Sequence, residues 1–484
     1  MRQRFLADLY QPFHLLLFFA LILLYSIFFA QVQAKEKALQ NFSLKAAIVS
    51  FIFWLLLSPI FFFRFYQLLL VWQPLPADLL SFFFLHRWKI LPVIILFYLA
   101  ILYLLYRIIL TPHYLKQGYR LKTSLLFSWM NTKKGIIKQF VFFLLIPLAF
   151  FIISLLIKSS FIWSTQLLSD SNTAMILLLL HRVIQNILRT LFFLYLATNP
   201  ATADTDTQTP VSKIWLGLTV IACLSLYFLH YTQVTQGQRA VTPLAISHRG
   251  VSNHNGVQNS VEALKKTNKT MQPDLIEIDV QETADHQLVV IHDEDLKTLA
   301  NKDLRIDETA WKDLKGLPLK ENSYVSKIPL FSDYLATANR LKQPLLIELK
   351  VTAKTKATII HQLLPLKEQL AGHQLQSMDL DTANHMKKIF PTLAVGYILP
   401  FDLLGAPKTS LDFINIEAKT ANGDLIQYLR QQKQKIYVWS INSKQQAAVF
   451  RFQRVNGLLS DDLTVLSGHL DDIRSQTASI LQFD

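Results

Sequence analysis

Four short motifs in this chain carry side chains with chemical potential: His248-Arg249-Gly250, Glu277-Ile278-Asp279, His292-Asp293 and Glu348-Leu349-Lys350. Glu277 and Asp279 sit in the apolar run LIEIDV. Two residues apart on a strand, they share one face. Two carboxylates on a buried face repel each other unless one is protonated or a cation holds both. Glu348, in the similar run LLIELK, adds a third. Three hard oxygen donors without a cysteine suit Mg²⁺ or Ca²⁺ better than Zn²⁺. Imidazoles beside such carboxylates raise a question of catalysis, because polar groups in buried β-structure are costly unless paired.

These motifs need elements that bring them together. From Leu244 the sequence alternates short β-type runs with helical stretches. The strands read as LAIS (244), LIEI (275), LLIEL (345), HQLQSM (373), LAVGYI (393), FINIE (413), KIYVWSI (435) and NGLLS (456). Helices are expected in SVEALKKTN, AKTKATIIHQLLPLKEQL, DTANHMKKIF, GDLIQYLRQQK and SKQQAAVFRFQRV. Eight strands in this alternation predict a closed (β/α)8 TIM barrel over 244–472. A doubly wound sheet is disfavoured because no G-x-G-x-x-G follows the first strand. LVVIHD at 288–293 reads as an extra strand returning from a turn, and 294–343 as an insertion over one rim. A barrel gathers its functional residues at the C-terminal ends of its strands, and all four motifs fall there.

The first half is of another kind. Apolar runs at 14–32, 46–71, 90–110, 140–158, 174–196 and 213–231 are long enough to span a bilayer. Residues 1–232 are therefore expected to form a multi-span α-helical membrane domain of about six to eight helices. A linker at 233–243 follows, with a tail at 473–484 after the barrel. Residues 1–243 hold all of the net charge of +14, and the remainder is neutral. That distribution excludes nucleic acid as a partner of the barrel and fits cationic loops at a lipid surface. The single cysteine, Cys223, excludes an intramolecular disulfide, a thiolate metal site and a cysteine nucleophile in the barrel. The connection 111–139 is rich in lysine and arginine and free of acids. With the basic N-terminus it favours a multi-pass cell-membrane protein whose barrel faces outside. Six spans counted from a cytoplasmic N-terminus would put the barrel in the cytoplasm instead.

Residues 244–465 resemble the glycerophosphodiester phosphodiesterase family. HRG, NS followed by EAL, EIDV, QETADHQLVVIHD, IPLFSDYL, LLIELK, VWSIN and GLLSDD occur in the family's order. The first half resembles the multi-span domain that some bacterial members carry. The resemblance implies hydrolysis of glycerophosphodiesters to glycerol 3-phosphate and an alcohol. It implies His248 and His292 as the acid–base pair, and Glu277, Asp279 and Glu348 as ligands of one divalent cation, Ca²⁺ or Mg²⁺. Arg249 and Lys350 would lie near the phosphate, with Asn259, Asp293 and Trp439 in support. Two departures stand out. Gln258-Asn259-Ser260 replaces the usual Glu-Asn-Thr, removing a carboxylate near the site, and His286 replaces the hairpin glycine. Lysophospholipids or polyglycerophosphate polymers are alternative substrates. A head-group-binding module without catalysis is the reading from another class, disfavoured by the intact histidines and carboxylates.

Overall fold

The computed structural model describes residues 43–57, 76–133 and 242–467, apart from 403, 404 and 422, together with isolated helical positions between 19 and 184. Every run read as a barrel strand forms one. β1 (Leu244–Ser247), β2 (Leu275–Glu282) and the short β3 (Leu288–Val290) come first, then the hairpin β4 (Pro318–Glu321) and β5 (Tyr324–Lys327). β6 (Leu345–Leu349), β7 (Gln374–Ser377), β8 (Ala394–Leu399), β9 (Phe413–Glu417), β10 (Lys435–Trp439) and β11 (Gly457–Ser460) follow. The sheet runs β1-β11-β10-β9-β8-β7-β6-β2, and β1 also pairs with β2, so eight parallel strands close into a ring. This is the (β/α)8 barrel. β3 pairs antiparallel with β2 as the expected extra strand, Val280 opposite Val290.

Strand periodicity sorts the side chains. Ile276, Ile278 and Val280 of β2 join the cluster between sheet and helices, while Leu275 joins an inner layer with Ile246, Leu346, Phe413, Tyr437 and Leu459. The rings of Phe413 and Tyr437 stack with centroids 4.6 Å apart. Gly396 makes room for them: a Cβ there would lie 2.0 Å from the Phe413 ring. Glu277 and Asp279 continue the inward face of β2 above this apolar floor.

Two helical expectations change. The stretch 353–370 is not one helix; it contains Ile359–Leu363 and a 3-10 turn, Leu364–Leu366. Pro365 has no N–H to give and disfavours helical backbone before it. The insertion expected over 294–343 ends earlier, because Phe331–Arg340 is a barrel helix. Its buried Phe331, Tyr334, Leu335 and Ala338 repeat at helical spacing and join the main core. The remaining cap has its own core, where Leu296, Leu299, Ile306 and Leu314 pack with Val257 and Val289.

The chain divides into two compact units, residues 1–66 with 88–237 and residues 67–87 with 238–484. The helix Ala77–Leu85, inside the segment assigned by sequence to the membrane domain, therefore belongs with the barrel. Leu80 is fully buried in the barrel's main core, and Phe84 stacks on Phe401 at 6.0 Å, just past the end of β8. In the other unit, Arg87–Lys116 is, among the described residues, the one helix long and apolar enough to cross a membrane, and it covers the expected span 90–110. Arg107 on this helix is buried, donates to Thr132 Oγ1 at 3.1 Å and lies 4.0 Å over the Trp129 ring. Helix Leu44–Leu57 begins the expected span 46–71. The rest of that span, those at 14–32, 140–158, 174–196 and 213–231, the linker 233–243 and the tail 473–484 lie largely or wholly outside the described residues.

The barrel floor yields a stability test. Gly396→Ala forces a methyl group into the Phe413 ring, and overpacking of this kind costs about 1–3 kcal/mol. Thermal unfolding of the full chain is expected to show a lowered midpoint for the barrel transition; an unchanged midpoint would contradict the packing described.

Candidate active site

The end of β2 sets the frame. Glu277, Asp279 and Glu348 are buried, 2%, 1% and 7% exposed, and ligand oxygens from all three lie within 4.8 Å of one another. β2 and β6 pair with Asp279 opposite Glu348, which brings the third carboxylate alongside. Burial pushes the Glu277 carboxyl well above its usual range, and the charges of Asp279 and Glu348 push it further. Burial likewise raises Glu348, an effect that Lys350 only partly offsets. Asp279 goes the other way. Burial opposes its ionisation, but Lys350, His292 and Arg249, with the amide of Asn259, outweigh it and hold the carboxyl low.

Three carboxylates thus face two permanent cations. Lys350 Nζ lies 3.5 Å from both Asp279 Oδ1 and Glu348 Oε1, and Arg249 Nε lies 3.9 Å from Asp279 Oδ2. With all three ionised one negative charge is left over, and Glu348 Oε1 has only the Lys350 ammonium at 3.5 Å beside it. A buried, all-oxygen set of three carboxylates within 4.8 Å of one another fits a hard divalent cation.

Local backbone explains how the other groups arrive. Arg249 adopts the left-handed conformation (φ 56°, ψ 27°) in the tight His248–Gly250 turn. That aims its N–H at Glu277 Oε2, 2.9 Å away. Asn259, also left-handed at φ 59°, grips Asp279 twice: its amide donates to Oδ2 at 2.8 Å, and its Oδ1 accepts the Asp279 N–H at 3.1 Å. Ser260 then caps the helix Val261–Met271, accepting the Ala263 N–H. His286 takes φ 62° in its hairpin, so the replacement of glycine is accommodated.

Each histidine is backed by a carboxylate. His248 Nδ1 meets Asp461 Oδ1 at 2.6 Å, and His292 Nδ1 meets Asp293 Oδ1 at 2.8 Å. With Nδ1 engaged, Nε2 of each ring is left for chemistry. Burial lowers the His292 pKa, a trend the Asp279 charge opposes. Gln281 holds the segment carrying His292 by donating to the carbonyls of Ile291, His292 and Asp293 at 2.8–3.0 Å. Trp439 ends β10 and packs on the inner apolar layer, and its indole N–H has no partner.

All ten residues singled out from sequence stand at the C-terminal end of the barrel or in the loops leaving it. Three further ones went unassigned. Asp461, in the quoted GLLSDD, follows β11 and belongs to the same strand-end set. Asn442 donates to Asp461 Oδ2 at 2.6 Å. Glu321, at the end of β4, accepts from Gln258 N–H at 2.7 Å and Gln258 Nε2 at 2.9 Å. No local pattern marked it, since the contact joins residues 63 apart.

Fold and site together define a (β/α)8-barrel enzyme with an acidic, histidine-flanked mouth. Residues 248–379 match the sequence model of the Glycerophosphoryl diester phosphodiesterase family. YhdW of Bacillus subtilis (strain 168), which bears the same family name, is 26% identical over 47% of this chain and 99% of its own. Glycerophosphodiester phosphodiesterase GDPD4 of Arabidopsis thaliana is 21% identical over 48% of this chain and 75% of its own. Among solved structures, an Oleispira antarctica phosphodiesterase in complex with the product sn-glycerol-3-phosphate is 20% identical, with a TM-score of 0.42 over 46% of this chain and 95% of that one. The C-terminal half of the chain is thus similar to glycerophosphodiester phosphodiesterases, enzymes of the phosphoric diester hydrolase class.

The Asp461–His248 pair sets a pH dependence. Burial opposes ionisation of Asp461, but the hydrogen bond and charge of His248 win and lower its carboxyl to about 2. A depressed carboxylate stabilises the fold above its unfolded pKa of about 3.9, and that contribution is lost as pH falls through about 2. Asp461→Asn is expected to flatten the dependence of the unfolding midpoint on pH between about 4 and 2. Identical profiles for the two proteins would contradict the pairing.

Proposed function

We propose that this protein is a membrane-anchored, divalent-cation-dependent phosphodiesterase that cleaves glycerophosphodiesters to glycerol 3-phosphate and an alcohol. The observation that carries the reading is the convergence of three buried carboxylates and two carboxylate-backed histidines at one barrel mouth. Glu277, Asp279 and Glu348 would hold the cation. A hard cation there would supply charge neutralisation for the phosphoryl oxygens. Arg249 and Lys350 orient the anionic diester and withdraw its charge. Asn259 and Asp293 hold Asp279 and His292 in position, and Trp439 forms part of the mouth.

The two histidines divide the proton traffic. His292, whose burial favours the neutral ring, accepts a proton from the attacking oxygen through Nε2. His248, bonded to the ionised Asp461, carries a proton and gives it to the departing alkoxide. The attacking oxygen belongs to water or to the glycerol 2-hydroxyl; accumulation of a cyclic phosphate would distinguish the second. Lysophospholipids and polyglycerophosphates present the same bond. Support for the bilayer comes from the apolar runs of the first half and from Arg87–Lys116. The basic connection 111–139 supports a barrel facing outside the cell.

His248→Ala and His292→Ala are each expected to lower kcat by about 10²–10⁴-fold while the fold is retained. The double variant should lose little more than either single one. Chelation should abolish turnover of the full chain, and Mg²⁺ or Ca²⁺ should restore it. Mild, additive losses would point to structural histidines, and chelator-resistant turnover would remove the cation from the reaction.

A further inference from the structure

The family's usual glutamate after HRG is Gln258 here, yet a carboxylate stands one side chain further out. Glu321 ends β4, immediately before a two-residue turn in which Asn322 (φ 50°) and Ser323 (φ 64°) are both left-handed. Such a turn is rigid and matched to strand twist, so it fixes where Glu321 points. The hairpin is tied to the segment 256–266 around Gln258. Asn322 Nδ2 donates to the Gly256 carbonyl at 3.3 Å, Ser326 Oγ to Glu262 Oε2 at 2.7 Å, and Lys266 Nζ to Tyr324 OH at 3.0 Å.

Both Glu321 oxygens are spent on one residue. Oε2 accepts the backbone N–H of Gln258 at 2.7 Å and Oε1 accepts its Nε2 at 2.9 Å. An ionised carboxylate only accepts, so it dictates which end of the Gln258 amide faces it. The amide nitrogen turns outward and Oε1 turns inward, where it accepts from Arg249 Nη1 at 2.7 Å. With the amide reversed, its N–H groups would face the N–H groups of the guanidinium, and that contact would be repulsive. We infer that Glu321 is a positioning residue of the active site: by fixing the polarity of Gln258 it orients the Arg249 guanidinium for an anionic substrate. The inference rests on the reading that Arg249 faces the phosphate.

A charge-swap cycle in the full-length protein tests it, with glycerophosphocholine as substrate and inorganic phosphate as competing anion. Hydrogen bonds to charged groups contribute enough that Glu321→Gln should raise KM, and weaken phosphate inhibition, about 10-fold, with kcat within about threefold. Gln258→Glu sets two carboxylates against each other and should do worse. Combining Gln258→Glu with Glu321→Gln can rebuild every bond in swapped order. The carboxylate introduced at position 258 then accepts from Arg249 and from the amide introduced at position 321, whose oxygen accepts the backbone N–H. This double variant should return KM to within about threefold of the parent. A parental KM for Glu321→Gln, or a double variant no better than Gln258→Glu alone, overturns the inference. Phosphate binding followed by titration calorimetry reads the relay without turnover. A parent protein that binds phosphate but cleaves no glycerophosphodiester would therefore sink the proposed reaction and not the relay.

Discussion

Three carboxylates buried within 4.8 Å of one another cannot all be ionised without help, and much of the barrel mouth is arranged around that difficulty. Lys350 and Arg249 balance two of the charges. The Asn259 amide and the Arg249 N–H supply hydrogen bonds to Asp279 and Glu277, which lower the cost of keeping buried oxygens away from water. The left-handed backbone at Arg249 and Asn259 is strain accepted for this purpose. With all three ionised, one negative charge remains in excess of these two cations. A divalent cation would reverse that sign and make the mouth attractive to a singly charged diester.

The ring closure serves the chemistry directly. His248 leaves the first strand and Asp461 the last, 213 residues apart, and their 2.6 Å contact exists only because β1 pairs with β11. Asn442 fixes Asp461 from the loop after β10. A barrel that fails to close therefore loses the partner of one histidine while keeping every other motif intact. The second histidine depends instead on the local hairpin of β2 and β3, pinned by Gln281. The two imidazoles are thus supported by independent pieces of structure, one long-range and one short-range, and perturbations of the fold should affect them separately.

Most of this was legible in the sequence. Short apolar runs bounded by polar segments marked all eight barrel strands, and the two-residue spacing of Glu277 and Asp279 put both on the inward face. The strand-end rule that gathers His248, His292 and Glu348 applies equally to Asp461, which follows Ser460 in the same manner, so its place at the mouth was open to the same reasoning. Glu321 was not. Its effect depends on a hairpin folding back over Gln258, a tertiary contact with no periodic or local signature. The helix Phe331–Arg340 has the spacing of a barrel helix, but it follows an irregular cap with its own core, and composition alone merges the two into one insertion. Pro365 is the local sign that 353–370 would break.

The assignment of the helix Ala77–Leu85 bears on how the two halves can be separated. Sequence composition divides the chain near residue 243, where apolar runs give way to alternating strands. Packing divides it differently, because Leu80 has no solvent exposure within a cluster made otherwise of barrel residues, and Phe84 lies against Phe401. A fragment beginning at residue 240 would expose the apolar surface these side chains cover. Burying one leucine side chain is worth about 1.5–3 kcal/mol, a large share of a margin of about 5–15 kcal/mol. Loss of activity in such a fragment would therefore mix the absence of the first unit with a weakened barrel. Keeping residues 67–87 in place, and substituting the exposed apolar residues of the other unit instead, separates the two effects, since the barrel core then stays whole.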